Sequence, residues 1–179
     1  MTANLAGTAA VYCLTCTLST AGGNYSLNSA SMGICVLTND TSSTIQYEMG
    51  VVGTGSTFIA ANQSHTSNFS INDATGSSTV AATTSQGFWT ITRTASGARA
   101  MYGPSGSSTA LISDTQASTS MPTSYPLMGA RNFGGYNNGT NHQFAAAFIG
   151  SGLTGAQYAS LASRINTYVK AVNGGSGCF

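Results

Sequence analysis

The sequence predicts a mostly β fold, a two-sheet antiparallel jelly-roll sandwich with one C-terminal amphipathic helix. Three observations support this prediction. Short apolar or alternating runs are separated by turn residues at intervals of about 8 to 12 residues, which is typical of all-β proteins. Two of these runs are apolar on both faces, and a helical pattern follows the last of them. The length of 179 residues fits a single domain, 1–179, with a sizeable core.

Ten strands are predicted between residues 8 and 149, separated by turn formers such as Gly53-Thr54-Gly55 and Asn138-Gly139. The polar stretch Ser113–Ser124 is expected to be a long surface loop. The predicted strands are Thr8–Leu18, Ser31–Thr38, Gln46–Val52, Thr57–Ala61, Asn68–Ile71, Gly87–Arg93, Ala98–Tyr102, Thr109–Ile112, Pro126–Arg131 and His142–Ile149.

Two segments, Ser31–Thr38 and Phe144–Ile149, carry apolar side chains on both faces. Strands that are buried on both faces belong in the interior of a layered structure. In the first segment, Met32, Ile34 and Val36 alternate with Cys35 and Leu37. This pattern favours a sandwich or jelly roll over an open sheet with one solvated face.

The C-terminal helix is predicted over about 154–173. Thr154 is the expected N-cap, with Gln157 completing a capping box, and Gly174-Gly175 ends the helix. The helix should lie on the outside of the sandwich with Arg164 and Lys170 towards solvent. Its predicted apolar face consists of Tyr158, Leu161, Ile165, Tyr168 and Val172.

The chain is almost uncharged, and this limits its partners. Charged residues make up 5% of the sequence, against about 25% in typical soluble proteins, and the net charge is +1. No basic surface for nucleic acid is expected, and no apolar run is long enough for membrane insertion. A net charge near zero favours association, which suits a homo-oligomer or a subunit of a larger assembly.

Neither a metal site nor a cofactor is predicted. Cys13-Leu-Thr-Cys16 has the spacing of a zinc half-site, but a second ligand pair is missing. A disulfide such as Cys35 to Cys178 is compatible with the sequence, which leaves the pairing open. The glycines of Gly150–Gly155 match G-x-G-x-x-G, yet no acidic residue follows them, so a tight strand-to-helix turn is expected rather than a dinucleotide site.

The acidic residues do not form a catalytic pattern. Glycoside hydrolysis needs two carboxyl groups about 5 to 9 Å apart, whereas Asp40, Glu48, Asp73 and Asp114 are scattered along the chain. No nucleophile elbow or catalytic triad is evident either. The chain is therefore predicted not to be an enzyme.

A loop rich in aromatic and amide side chains is the predicted ligand-binding site. Aromatic rings can stack on the C–H faces of sugars, and amides can bond their hydroxyl groups. Two alternatives stay open, since Asn138-Gly139 can simply make a turn and the rings can belong to a subunit interface. Arg131 can add a charged donor or pair within the fold. The candidate residues are Asn132, Phe133, Tyr136, Asn137, Asn138 and Asn141.

Several segments together resemble the concanavalin A-like lectin/glucanase jelly-roll domains of bacteriophage tail-fibre and other virion proteins. Their order and spacing fit from about Tyr25 to Asn173, which is most of the chain. The paired acids of the family's enzymes and the metal-binding loop of its plant-type lectins are not found here. The segments are Asn28–Val36, Tyr47–Gly50, Ile71–Ala74, Gly87–Gly97, Leu127–Asn132 and Phe144–Thr154.

The resemblance implies a location on the virion surface, other virion subunits as partners and contact with a host-surface glycan. The leading hypothesis is a non-enzymatic, lectin-like module for adhesion, receptor binding or decoration of the particle. The first alternative is a purely structural jelly-roll subunit of a capsid or tail assembly. A glycan-cleaving enzyme is the third hypothesis.

Overall fold

The computed structural model describes residues 12–13, 17–20, 24–39, 46–63, 65–74 and 76–179. Within these residues the chain forms strands in two sheets, a 3₁₀ turn at Leu18–Thr20 and an α-helix near the C-terminus. The elements are β1 Tyr12–Cys13, β2 Ala30–Val36, β3 Met49–Val52, β4 Ser56–Gln63, β5 Thr66–Asp73, β6 Ser78–Ala81, β7 Gly87–Ala95, β8 Ala98–Tyr102, β9 Ile112–Asp114, β10 Leu127–Met128, β11 Arg131–Asn132, β12 Tyr136–Asn137, β13 Phe144–Gly150 and α1 Gly155–Val172.

The strands build two sheets in which antiparallel pairs dominate. The first sheet has the order β1-β10-β3-β4-β5-β6, and β11 joins it by pairing in parallel with β3 and antiparallel with β12. The second sheet has the order β13-β2-β7-β8-β9 and is antiparallel throughout. The mostly β architecture with a C-terminal helix is confirmed.

A hydrophobic core lies between the two sheets. The first sheet contributes one face of β3, β4 and β5, and the second contributes one face of β2, β7 and β8. The alternation predicted for β2 is confirmed, because Met32 and Ile34 face this core while Cys35 faces the other side. Its largest fully buried members are Trp89, Phe69, Leu18, Met32, Ile34, Met49, Ile59, Ile71 and Ile91.

Helix α1 packs on the outer face of the second sheet. Its buried Tyr158 stacks on Phe88 and Tyr102, with ring centroids 5.9 and 4.8 Å apart, and donates a hydrogen bond to the Phe88 carbonyl. Cys35 of β2 forms a disulfide with Cys178 beyond the helix, so the chain end is tied to the same face. The predicted capping box of Thr154 and Gln157 is confirmed.

The predicted apolar face of the helix is wrong in its C-terminal half. Tyr168 and Val172 are 62% and 64% exposed, whereas the buried side chains are Tyr158, Ala162, Asn166 and Val169. The polar Asn166 faces inward because its amide oxygen accepts a hydrogen bond from Cys178 N (2.8 Å) and its nitrogen donates to the Phe179 carbonyl. Contacts with the chain end therefore set the rotation of the helix.

The strand predictions need several corrections. Predicted Thr109–Ile112 lies later, at β9, which also occupies the start of the predicted loop Ser113–Ser124. Predicted Pro126–Arg131 is split into β10 and the start of β11. Two strands were missed, β6 and β12, because neither has an apolar alternation. Of predicted Thr8–Leu18, residues 8–11 and 14–16 lie outside the described residues.

The predicted glycine turn between β13 and α1 is confirmed. A side chain at Gly152 would collide with the Arg93 carbonyl, and one at Gly155 would collide with the Ser108 carbonyl. These glycines allow close approach of backbone to backbone, so the chain can pass from strand to helix within four residues, 151–154.

Candidate functional site

The predicted ligand site coincides with a tight hairpin formed by β11 and β12. Arg131 lies opposite Asn137, and Asn132 lies opposite Tyr136. Directly opposed residues of an antiparallel pair point to the same face, and successive residues point to opposite faces. The hairpin therefore presents Arg131 and Asn137 on one face and Asn132 and Tyr136 on the other.

Asn132 supports the hairpin from within. It is buried, its amide nitrogen donates to the Tyr125 carbonyl (2.9 Å), and its amide oxygen accepts from Gly135 N (3.2 Å). Gly135 has a φ of +141°, a conformation that side chains disfavour. The structure thus places Asn132 as a group that shapes the loop, since its polar atoms are engaged inside it.

Arg131 is the centre of a cluster of contacts at this hairpin. Its guanidinium lies 4.4 Å from the Tyr47 ring centroid and 5.6 Å from that of Phe133, distances typical of cation–π contacts. Nη1 donates to the Tyr47 hydroxyl (2.9 Å) and Nη2 donates to the Asn137 amide oxygen (3.1 Å). We call Arg131, Tyr47, Phe133 and Asn137 the Arg131 cluster.

Tyr47 provides the rigid base of the Arg131 cluster. Its backbone N–H donates to the Asn138 carbonyl, and its ring packs edge-on against Phe58 with centroids 5.2 Å apart. Burial raises the pKa of the Tyr47 phenol above its ordinary value, although the charge of Arg131 acts in the opposite direction. The phenol is therefore neutral near pH 7 and does not neutralise the guanidinium.

Two aromatic rings of the hairpin face solvent. Phe133 is 59% exposed and Tyr136 is 56% exposed. The Tyr136 hydroxyl lies over Gly139. A Cβ at this position would collide with the hydroxyl, so the glycine leaves the space that the Tyr136 ring occupies. Asn138 and Asn141 are exposed beside the hairpin, and Asn138 adopts a φ of +47°.

The carboxylates described by the structure are engaged inside the fold. Glu48 is fully buried; its Oε2 accepts from Ala61 N, and its Oε1 lies 3.1 Å from His142 Nδ1. Burial raises the pKa of Glu48, while the hydrogen bonds from His142 and Ala61 partly oppose that rise. Asp73 and Asp114 both form ion pairs with Arg99.

The Glu48→Gln variant should change how stability depends on pH. A buried carboxyl with a raised pKa contributes stability below its ordinary pKa and loses it as the pH rises through the raised value. Glutamine keeps an acceptor for Ala61 and does not titrate. We expect the stability of the variant relative to the parent, measured by urea unfolding, to increase as the pH is raised from 4 to 8. A parent that instead gains on the variant as pH rises would show that His142 holds Glu48 ionised.

Two grooves lie elsewhere on the sandwich and differ from the hairpin in chemistry. One, of about 520 Å³, runs along β7–β9 to the start of α1, and its charged groups Arg99 and Asp114 are paired with each other. The other, of about 450 Å³, is lined mainly by apolar surface between Trp89, Pro104 and Leu111. Neither combines an exposed aromatic ring with an unneutralised charge, as Phe133 and Arg131 do.

Tyr47 was not predicted as a member of the candidate site. It is separated from Arg131 by 84 positions, and the contact exists only because β11 pairs with β3. A tyrosine in a predicted strand carries no signal that distinguishes a site residue from a core residue. The sequence left two roles open for Arg131, a charged donor to a ligand or a pairing partner within the fold. In the structure its guanidinium contacts two aromatic rings and the Asn137 amide.

In the described part of the chain, no helix is long and apolar enough to cross a membrane, and no group of acidic, histidine and cysteine side chains is arranged for a metal ion. A scan against models of known protein families finds no match to this chain. A search of curated proteins likewise finds no significantly similar sequence.

Proposed function

We propose that this chain is a non-catalytic, lectin-like module on the surface of a bacteriophage particle, and that it binds a host-surface glycan through the β11–β12 hairpin. The observation that carries the proposal is the Arg131 cluster together with the exposed rings of Phe133 and Tyr136 on the same hairpin. Two aromatic rings, a fixed guanidinium and amides on one short hairpin offer both stacking surface and hydrogen-bond donors. Loops held by a rigid sandwich are where binding groups concentrate.

The fold supports this proposal at a coarser level. Two packed sheets, with strands such as β2 and β7 adjacent although distant in sequence, are compatible with a concanavalin A-like jelly roll. A sandwich of this kind hosts many functions, so the fold alone does not assign one. The resemblance of the sequence to phage virion domains supplies the proposed location.

The disulfide and the carboxylates favour an extracellular binding module over an enzyme. Disulfides such as Cys35–Cys178 persist in oxidising surroundings, which include virion surfaces. A glycosidase needs carboxyl groups that reach its substrate. Glu48 is fully buried, and Asp73 and Asp114 are held by Arg99.

A structural subunit of a capsid or tail is a second candidate, and one observation favours it. Tyr168 and Val172 leave apolar surface exposed on α1. Aromatic side chains are enriched at protein interfaces. The helix packs on the second sheet, whereas the hairpin belongs to the first. A module can therefore assemble through one side and bind a glycan with the other.

Tyr136→Ala and Tyr168→Ala are matched variants that separate the two candidates. Each removes one tyrosine ring that is more than half exposed, so each should change the free energy of unfolding by less than about 0.5 kcal/mol. Truncating an aromatic anchor weakens binding by about 2 kcal/mol, roughly thirtyfold. We expect Tyr136→Ala to lose glycan-array binding and keep its oligomeric state, measured by light scattering.

The reciprocal result identifies the structural candidate. If Tyr168→Ala changes the oligomeric state while the parent binds no glycan on the array, the chain is an assembly subunit. If Tyr136→Ala binds every glycan as the parent does, Tyr136 does not belong to the site. Phe133→Ala then tests the ring that contacts Arg131.

A further inference from the structure

The guanidinium of Arg131 is fixed in place but not neutralised. Its hydrogen bonds go to a neutral phenol and a neutral amide, and among the described residues it forms no ion pair with a carboxylate. Arg99 is the contrasting case, since it contacts two carboxylates and is almost fully buried. The side chain of Arg131 is only partly buried, so a ligand can approach its charge.

The contacts of Arg131 leave donors for a planar acceptor. A guanidinium has two N–H groups on each terminal nitrogen and one on Nε. Nη1 uses one N–H on Tyr47 and Nη2 uses one on Asn137, so one N–H remains on each terminal nitrogen. Paired N–H groups of this kind match the two oxygens of a carboxylate.

The neighbouring ring defines what should carry that carboxylate. The guanidinium lies over the Phe133 ring, 5.6 Å from its centroid, and the ring is 59% exposed, so the part of the ring that Arg131 does not cover is open to a ligand next to the charge. A saccharide ring presents a C–H face that can stack on phenylalanine, and an acidic sugar carries its carboxylate on the same ring. Asn137, held by Nη2, fixes the plane of the guanidinium between these two recognition elements.

We propose that the Arg131 cluster binds an acidic saccharide, with its carboxylate on Arg131 and its sugar ring on Phe133. This inference rests on the proposed glycan-binding function and narrows it to uronic or sialic acid units. The nearly uncharged sequence otherwise predicts binding with little dependence on ionic strength. Because the proposed complex contains a single ion pair, added salt should weaken the binding of the acidic ligand moderately and leave the binding of neutral sugars unchanged.

The test uses two matched ligand pairs and isothermal titration of the whole chain. Trigalacturonic acid is compared with its methyl ester, which has the same rings without the charges, and sialyllactose is compared with lactose. We expect at least one acid to bind about tenfold or more tighter than its neutral counterpart, because hydrogen bonds to charged groups are the stronger ones.

Four variants assign the effect to the guanidinium. Arg131→Gln should bind acid and neutral ligand alike, and Arg131→Lys should recover only part of the preference because it lacks the paired N–H groups. Arg164→Gln removes a charge from the exposed face of α1 and should keep the full preference. Tyr47→Phe removes the hydroxyl that holds Nη1 but keeps the ring, so it probes the cluster if Arg131→Gln fails to fold.

The outcomes separate this inference from the function on which it rests. Equal binding of acid and neutral ligands by the parent overturns the acidic preference and leaves a neutral glycan site. An equal loss in Arg164→Gln overturns it as well, because the effect would then be one of net charge. If no ligand of either pair binds and the glycan array is also blank, the proposed glycan-binding function fails with it.

Discussion

Replacing Cys35 by alanine is expected to lower the free energy of unfolding by about 3–5 kcal/mol, because it removes a disulfide. The disulfide joins positions 143 residues apart. In the chain-entropy model a cross-link over such a long loop removes much of the freedom of the unfolded chain. Cys35 and Cys178 are also fully buried against the helix.

Urea unfolding with and without reductant measures this effect. Cys35→Ala, Cys178→Ala and the double variant should have similar stabilities, since each removes the same bond and the losses do not add. The reduced parent should approach the variants, and reductant should leave their stability unchanged. A parent whose unfolding is insensitive to reductant would contradict a stabilising role of Cys35–Cys178.

The disulfide shows how far the sequence could predict the packing on the outer face of the second sheet. Alternation along β2 correctly placed Cys35 on the face opposite Met32 and Ile34. It could not predict Cys178 as the partner, because connectivity does not follow from spacing. The same gap explains the error at Tyr168, since the rotation of α1 depends on contacts of Asn166 with the chain end.

Strands could be predicted where burial requires a run or an alternation of apolar residues. Strands without such a pattern could not be predicted. β2 and β7 lie inside the second sheet and have long apolar runs. β6 contains Val80 as its main apolar side chain and pairs only with β5, so Ser78–Ala81 looks like loop sequence. An edge strand of this composition can be recognised only from its pairing with the neighbouring strand in the structure.

The candidate site was predictable in position but not in composition. Aromatic and amide residues between two predicted strands indicated a binding loop, and the structure forms the β11–β12 hairpin there with Phe133 and Tyr136 on its surface. That Asn132 turns inward depends on the carbonyl of Tyr125. That Tyr47 lies beneath Arg131 depends on the pairing of β11 with β3. Both are tertiary contacts without a local signal.

A network of charged and polar side chains around Arg99 connects the two sheets. Arg99 of β8 lies 3.1 Å from Asp73 of β5 and 2.7 Å from Asp114 of β9, and it also donates to Ser78 of β6. Its guanidinium lies 5.4 Å from the Phe69 ring centroid. Arg99 and Asp73 are almost fully buried, so little water screens them.

Arg99→Met is expected to lower the free energy of unfolding by about 3–5 kcal/mol. Methionine keeps much of the apolar volume, but it removes the cation that Asp73 contacts, and a buried charge that has lost its partner is strongly destabilising. Chemical denaturation at pH 7 measures the loss. Arg164→Met, on the exposed face of α1, is the matched control and should change stability by less than about 0.5 kcal/mol.

A double-mutant cycle and a pH series distinguish charge from packing. Asp73→Asn combined with Arg99→Met should be more stable than Arg99→Met alone, because no buried charge then faces methionine. Burial by itself would raise the pKa of Asp114, but hydrogen bonds from Arg99, Ser78 and Gln116 outweigh it and hold that pKa below its ordinary value. A depressed carboxyl pKa contributes stability above the ordinary value and loses it as the pH falls through the depressed one. The deficit of Arg99→Met should therefore shrink as the pH is lowered from 5 towards 2, whereas a pure packing defect would leave it constant.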